Sequence, residues 1–181
     1  MFADRHRLNT DVVRLHIVAN SDSTEDQALK LRIRDVVTEY LDHALADIRD
    51  TESAKRYIRE HLQTLSDLVQ DVLHSAGCNM SAEVDFGAEA FDSRAYDTFT
   101  MPAGVYDALR ITIGQGEGKN WWCVVFPSLC MGVAAEDFEA EAAGAGFPDS
   151  LIGAMERETE YEIRFFLLDV LGRLENIFHN G

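Results

Sequence analysis

VVRLHIVANSDSTED, residues 12–26, changes from one backbone period to another within a few positions. Residues 12–19 read as a β-strand, with Leu15, Ile17 and Ala19 on one face and Arg14, His16 and Val18 on the other. A helix start follows. Asp22 or Ser23 can accept hydrogen bonds from free first-turn amides, and Glu25 and Asp26 sit where the helix dipole favours negative charge.

Reading outward, apolar residues recur at Leu29, Ile33, Val36, Val37, Tyr40, Leu41, Ala44, Leu45 and Ile48, which predicts one helix over 24–48 with a single buried stripe. A second helix is expected over 52–76, with Tyr57, Ile58, Leu62, Leu65, Val69, Val72 and Leu73 facing inward and Gly77 as its stop. The short join near Asp50 makes the pair a helical hairpin. After Gly77 the period becomes alternating. Residues 81–86 and 91–99 read as half-buried strands with Gly87 near the turn, Met101 to Gly104 as a corner, and 105–113 as a further strand. Consecutive strands joined by turns imply antiparallel pairing. The expected class is α+β: an antiparallel sheet covered on one face by a long two-helix hairpin, with a further C-terminal helix, in a single domain over 1–181. Residues 134–147 read as an acidic exposed helix or loop, and 163–168 fit strand or helix equally.

Composition narrows the function. The net charge of −16, from 32 acidic and 16 basic residues, repels nucleic acid and anionic lipid and favours cationic partners. No apolar run is long enough to cross a bilayer, so no membrane insertion by this chain is expected.

The stretch GQGEGKNWWCVVFPSLC, 114–130, carries several candidate chemistries. Its glycines fail the phosphate-loop pattern: Ile113 stands where the first glycine belongs, and Asn120 where Ser or Thr would reach a magnesium ion. The run WWCVVF is of strand type, whereas phosphate motifs open a helix, so a glycine-rich hairpin turn is the better reading. No cofactor motif and no zinc-type histidine or cysteine spacing occurs. The NSDSTED cluster lacks the calcium-loop pattern, and helix capping explains it better. His43, His61 and His74 fall on polar helix positions and are expected to be solvated; His16 stands apart, opposite the apolar face of its strand. A thiol enzyme would need Cys123 beside a histidine such as His16 brought in by the fold. Cys123 and Cys130 are a candidate disulfide across the Pro127-Ser128 turn, the alternative being two buried thiols, with Cys78 left over. Trp121 and Trp122, adjacent on a strand, must point to opposite faces, so that one can fill the core while the other lies on the outer face; the alternative is that both are packed under loops. Asn120, Trp121 and Trp122 are the candidate partner-binding tip.

LHIVANSDSTEDQALKLRIRD (15–35) and PAGVYDALRITIGQGEGKNWWCVVFPSLC (102–130), in this order, resemble the stage II sporulation protein R family of spore-forming Firmicutes. The resemblance covers most of 12–133. It implies a developmental signal made in the forespore and exported to the space between forespore and mother cell. There such proteins trigger a membrane-bound aspartic protease to process a mother-cell sigma-factor precursor, and they have no catalytic residues of their own. The family's hydrophobic export segment is not found ahead of the polar opening MFADRHRLNTD, so an extracytoplasmic location implies that this segment has been left off the chain. The competing expectation is an extracytoplasmic hydrolase acting on cell wall or peptide, for which the sequence offers no recognisable catalytic constellation.

Overall fold

The computed structural model describes residues 10–95 and 100–127. Within them the chain runs β1 (Val13–Val18), α1 (Thr24–Leu45), α2 (Thr51–Glu60), α3 (Leu62–Ser75), β2 (Ala82–Phe91), β3 (Arg94–Ala95), β4 (Thr100–Met101), β5 (Gly104–Ile113) and β6 (Asn120–Phe126). The main sheet has the order β2-β5-β1-β6, and β3 pairs with β4 separately.

The sheet is mixed, which corrects the antiparallel expectation. β1 lies parallel to β5, with Leu15 opposite Leu109 and Ile17 opposite Ile111, while β1–β6 and β2–β5 are antiparallel. The cause is the long passage after β1: three helices and the strands β2, β3 and β4 intervene before β5 docks beside it, and parallel neighbours need a crossover of that kind. A strand flanked on both sides and covered on both faces has no solvated row, and all six residues of β1 are buried.

The helical layer also differs from a two-helix hairpin. Residues 52–76 form two helices broken at His61, whose φ of −110° and ψ of 17° leave the helical region. The His61 amide is shared between the Tyr57 and Ile58 carbonyls, its ring stacks on Tyr57 at 3.9 Å, and its Nδ1 lies 2.8 Å from the Tyr57 carbonyl. His61 is therefore half-buried and partnered, whereas His43 and His74 are exposed. The end of α3 is as expected. Gly77, at φ +71°, donates to His74 O and Cys78 donates to Leu73 O, the paired bonds of a glycine helix stop.

All three helices bury one stripe against the same sheet face. Leu29, Ile33, Val37, Leu41, Ile58, Leu65, Val69 and Leu73 meet Val13, Leu15, Ile17, Leu109, Ile111, Cys123 and Val125 in one apolar cluster. Burying each such large aliphatic side chain stabilises the fold by about 1.5–3 kcal/mol. β2 runs unbroken through Gly87, in place of the expected turn there. The acidic segment 134–147, residues 163–168 and the expected C-terminal helix lie outside the described residues.

Candidate functional site

The residues that could do chemistry collect on the sheet face turned away from the helices, and alternation decides which. Arg14 and His16 on β1, Trp122 and Val124 on β6, and Tyr106 and Ala108 on β5 share that face, because their odd-numbered strand neighbours Leu15, Ile17, Leu109 and Cys123 point into the helix-covered core.

Arg14 is fully buried, its guanidinium 4.1 Å above the Phe91 ring and 5.1 Å from that of Tyr106. Phe91 and Tyr106 meet edge to face at 5.8 Å, and the Tyr106 hydroxyl donates to Pro102 O at 2.7 Å, tying the corner before β5 to this layer. A desolvated cation over aromatic faces contributes about 2 kcal/mol.

His16 is the centre of the polar part. Its Nδ1 lies 2.6 Å from Glu89 Oε1, its Nε2 lies 3.0 Å from Asn120 Oδ1, and its ring stacks on Trp122 at 5.5 Å and 16°. Glu89 is not a sheet neighbour of His16. The row through His16 contains Arg110 and Asp85, so on a flat sheet Glu89 would stand about 16 Å away, two strands across and four residues along. The 2.6 Å contact therefore requires the far ends of β2 and β5 to curl back over this face, and the packing of Phe91 on Arg14 has the same cause.

Of the candidate tip residues, Asn120 and Trp122 come together beside His16, while Trp121 points the other way. Trp121 is packed against the apolar cluster with the Arg34 guanidinium of α1 4.5 Å from its ring, and its Nε1 is buried with no hydrogen-bond partner among the described residues. Asn120 is exposed and both tryptophans are half-buried.

The glycine turn that leads into this tip is fastened rather than free. Six successive amides are all taken: Gly114 N by Ser81 O, Gln115 N by Asn20 Oδ1, Gly116 N by Ile113 O, Glu117 N by Asn20 O, Gly118 N by Ala19 O and Lys119 N by Asp22 Oδ1. An anion cradle needs those amides open, so the turn does not form one. The same contacts account for NSDSTED. Ser23 caps α1 by accepting from Asp26 N, and Asp26 Oδ2 accepts from Ser21 Oγ at 2.6 Å and Asn20 Nδ2 at 2.8 Å. Those hydrogen bonds from Ser21 and Asn20 hold the Asp26 carboxyl below its ordinary range. Lys30, buried beneath the two loops, donates to Gln27 Oε1 and to Lys119 O; burial lowers its pKa.

A thiol–imidazole pair is not built here. Cys123 stands opposite Leu15 and points into the helix side, His16 stands opposite Trp122 and points to the other, and Cys123 is disulfide-bonded. Cys78 is a free thiol, and Cys130 lies outside the described residues. The Nε2 that a general base would offer to a substrate proton is occupied by Asn120. Among the described residues no three His, Cys, Asp or Glu side chains converge as metal ligands. The arrangement holds side chains in place.

Sequence reasoning singled out His16, Asn120 and Trp122 separately but missed Glu89, Phe91 and Arg14. The signals were present in part: a charge at the centre of an apolar strand, and Glu83, Asp85 and Glu89 alternating along one face of β2. Which acid meets His16 depends on sheet curvature, which alternation does not carry.

The family model described as Stage II sporulation protein R (spore_II_R) matches residues 9–136. Over 180 residues the chain is 34% identical to the protein named Stage II sporulation protein R of Bacillus subtilis (strain 168), covering 90% of this chain and 80% of that relative. No solved structure matches. With more than half of its length matched by that family and with the two quoted stretches covering most of β1, the first half of α1, and all of β5 and β6, the chain belongs to the stage II sporulation protein R family.

Proposed function

We propose that this chain is a non-enzymatic signalling ligand of sporulation. It acts outside the cytosol, between forespore and mother cell, and activates a membrane-bound aspartic protease that processes a mother-cell sigma-factor precursor. Asn120, Trp121 and Trp122 form the tip that meets the protease, with Trp122 as the contact and Trp121 as its anchor in the core.

The observation that carries this reading is the use to which His16 is put. In a chain of this family, the histidine best placed for chemistry has both ring nitrogens and one ring face committed to Glu89, Asn120 and Trp122. A bonded Cys123 supports an oxidising location, and its proposed partner is Cys130. The net charge of −16 favours a cationic receptor surface.

The test is co-production of the chain, the membrane protease and the precursor in a host lacking all three. Cleavage is expected only when the chain is present. Trp122→Ala should raise the half-saturating concentration by about 30-fold, the effect of losing a tryptophan hot spot of about 2 kcal/mol, with folding intact. Trp121→Ala should instead lower stability. Cleavage that proceeds without the chain would refute the reading.

A further inference from the structure

We propose that Glu89 and His16 are positioning residues for receptor contact: the pair fixes the Trp122 ring by stacking and the Asn120 side chain by a hydrogen bond, and so sets the affinity of the chain for its receptor. This rests on the reading above, in that Trp122 and Asn120 are the groups the receptor meets.

The geometry points to positioning for three reasons. First, His16 is enclosed, with 9% of its side chain exposed and contacts on both nitrogens, one ring face and one edge, the last from Phe91 at 6.1 Å. Second, both groups it holds reach solvent: Asn120 is exposed and Trp122 half-buried. Third, the acid that holds it comes from the far end of β2, although Asp85 lies in its own register row beside Arg110. The result is a tie from β2 across β1 to β6 that ends on the tip. Glu89 itself is 23% exposed, so its contribution to stability is modest. Ordering the tip before binding spares the cost of ordering it during binding.

Three measurements separate positioning from a structural role. In the cleavage assay, Glu89→Ala should raise the half-saturating concentration about tenfold, the loss expected when two side chains are ordered during binding, while cleavage at saturation is retained. Glu89→Gln keeps an acceptor for Nδ1 and should restore most of that affinity. The Glu89→Ala/Trp122→Ala double variant should be weakened by less than the product of the two single effects, because with Trp122 gone only Asn120 is left to position. Independently of any receptor, in a Trp121→Phe background acrylamide should quench Trp122 more strongly once Glu89→Ala is added. If the unaltered chain fails to drive cleavage, the proposed function falls while the quenching comparison still decides whether Glu89 and His16 fix the ring. Unchanged quenching, or full additivity of the two substitutions, overturns the inference.

Discussion

Gly118→Ala tests whether the turn before β6 is locked onto the loop after β1. A Cβ at Gly118 would sit inside contact distance of the Ser21 carbonyl, with the Ala19 side chain also too close. The obstacle is backbone, so no rotamer change relieves it, and Gly118 shows no left-handed φ that would add strain of its own. The two loops must part. Three bonds then go: Glu117 N to Asn20 O at 3.1 Å, Gly118 N to Ala19 O at 2.9 Å and Lys119 N to Asp22 Oδ1 at 2.7 Å. At a net of about 1 kcal/mol each, the loss is about 2–3 kcal/mol. For a chain of this size that lowers Tm by about 5–10 °C. Gly87→Ala is the matched control, since a methyl group there would meet nothing within 4 Å and the strand gains from replacing glycine, by about 0.5 kcal/mol. Urea and thermal unfolding of both variants give the comparison. If Gly118→Ala unfolds within about 0.5 kcal/mol of the unaltered chain, the lock contributes little and the reasoning fails.

The remaining predictions concern charge. Asp26, whose carboxyl is held below its ordinary value of 3.8 by hydrogen bonds from Ser21 and Asn20, contributes stability that is present above that value and lost as pH falls through the lower folded one. Asp26→Asn should therefore cost about 1 kcal/mol at neutral pH, discounted for its partial exposure, and the gap in urea midpoint should close as pH falls below the ordinary carboxylate value. Burial opposes the charge on Lys55, but hydrogen bonds to Glu52 and Asp107 outweigh it and raise its pKa above 10.5. Its stabilisation is thus complete below that value and disappears as pH rises through the folded pKa. Lys55→Met strands Asp107, 3.0 Å away, and the Thr10 carbonyl, and should cost about 1–2 kcal/mol at pH 7, because Asp107 keeps 26% exposure and a distant Arg59. Chemical denaturation at neutral pH and above about pH 10.5 should show the two chains converging.

Much of this fold was legible because its signals are local. The two faces of β1, the stripe of α1, its Ser23 cap and the Gly77 stop each follow from a few adjacent residues. The break at His61 was not legible. Ile58 and Leu65 are two helical turns apart, so the apolar stripe stays in phase across it, and no glycine or proline marks the spot. The parallel β1–β5 pairing was hidden for a different reason. β5 alternates as any half-buried strand does, and its insertion between β2 and β1 depends on which strands the helices leave room to join. The site shows the same division. His16 and Trp122 could be placed on faces from parity, whereas Glu89 reaches them only because β2 and β5 curl over the sheet.

Parity ties stability to the proposed receptor surface. Along β1 and β6, Leu15, Ile17, Trp121 and Cys123 enter the helix-covered core, and their immediate neighbours His16, Asn120 and Trp122 form the polar cluster on the opposite side. A slip of one residue in β6 would exchange the two sets, burying Asn120 and Trp122 and turning Trp121 and Cys123 outward. What prevents the slip stands at the entrance of the strand: four of the six committed amides, those of Gln115, Glu117, Gly118 and Lys119, are fixed to Asn20, Ala19 and Asp22 at the exit of β1. The glycines are required there because the loops approach too closely for side chains at Gly114 and Gly118. Their role is to set register, and register decides which tryptophan is displayed. Loosening the turn in Gly118→Ala should thus weaken signalling by more than its loss of stability alone predicts, measured as cleavage at a temperature where the variant remains folded.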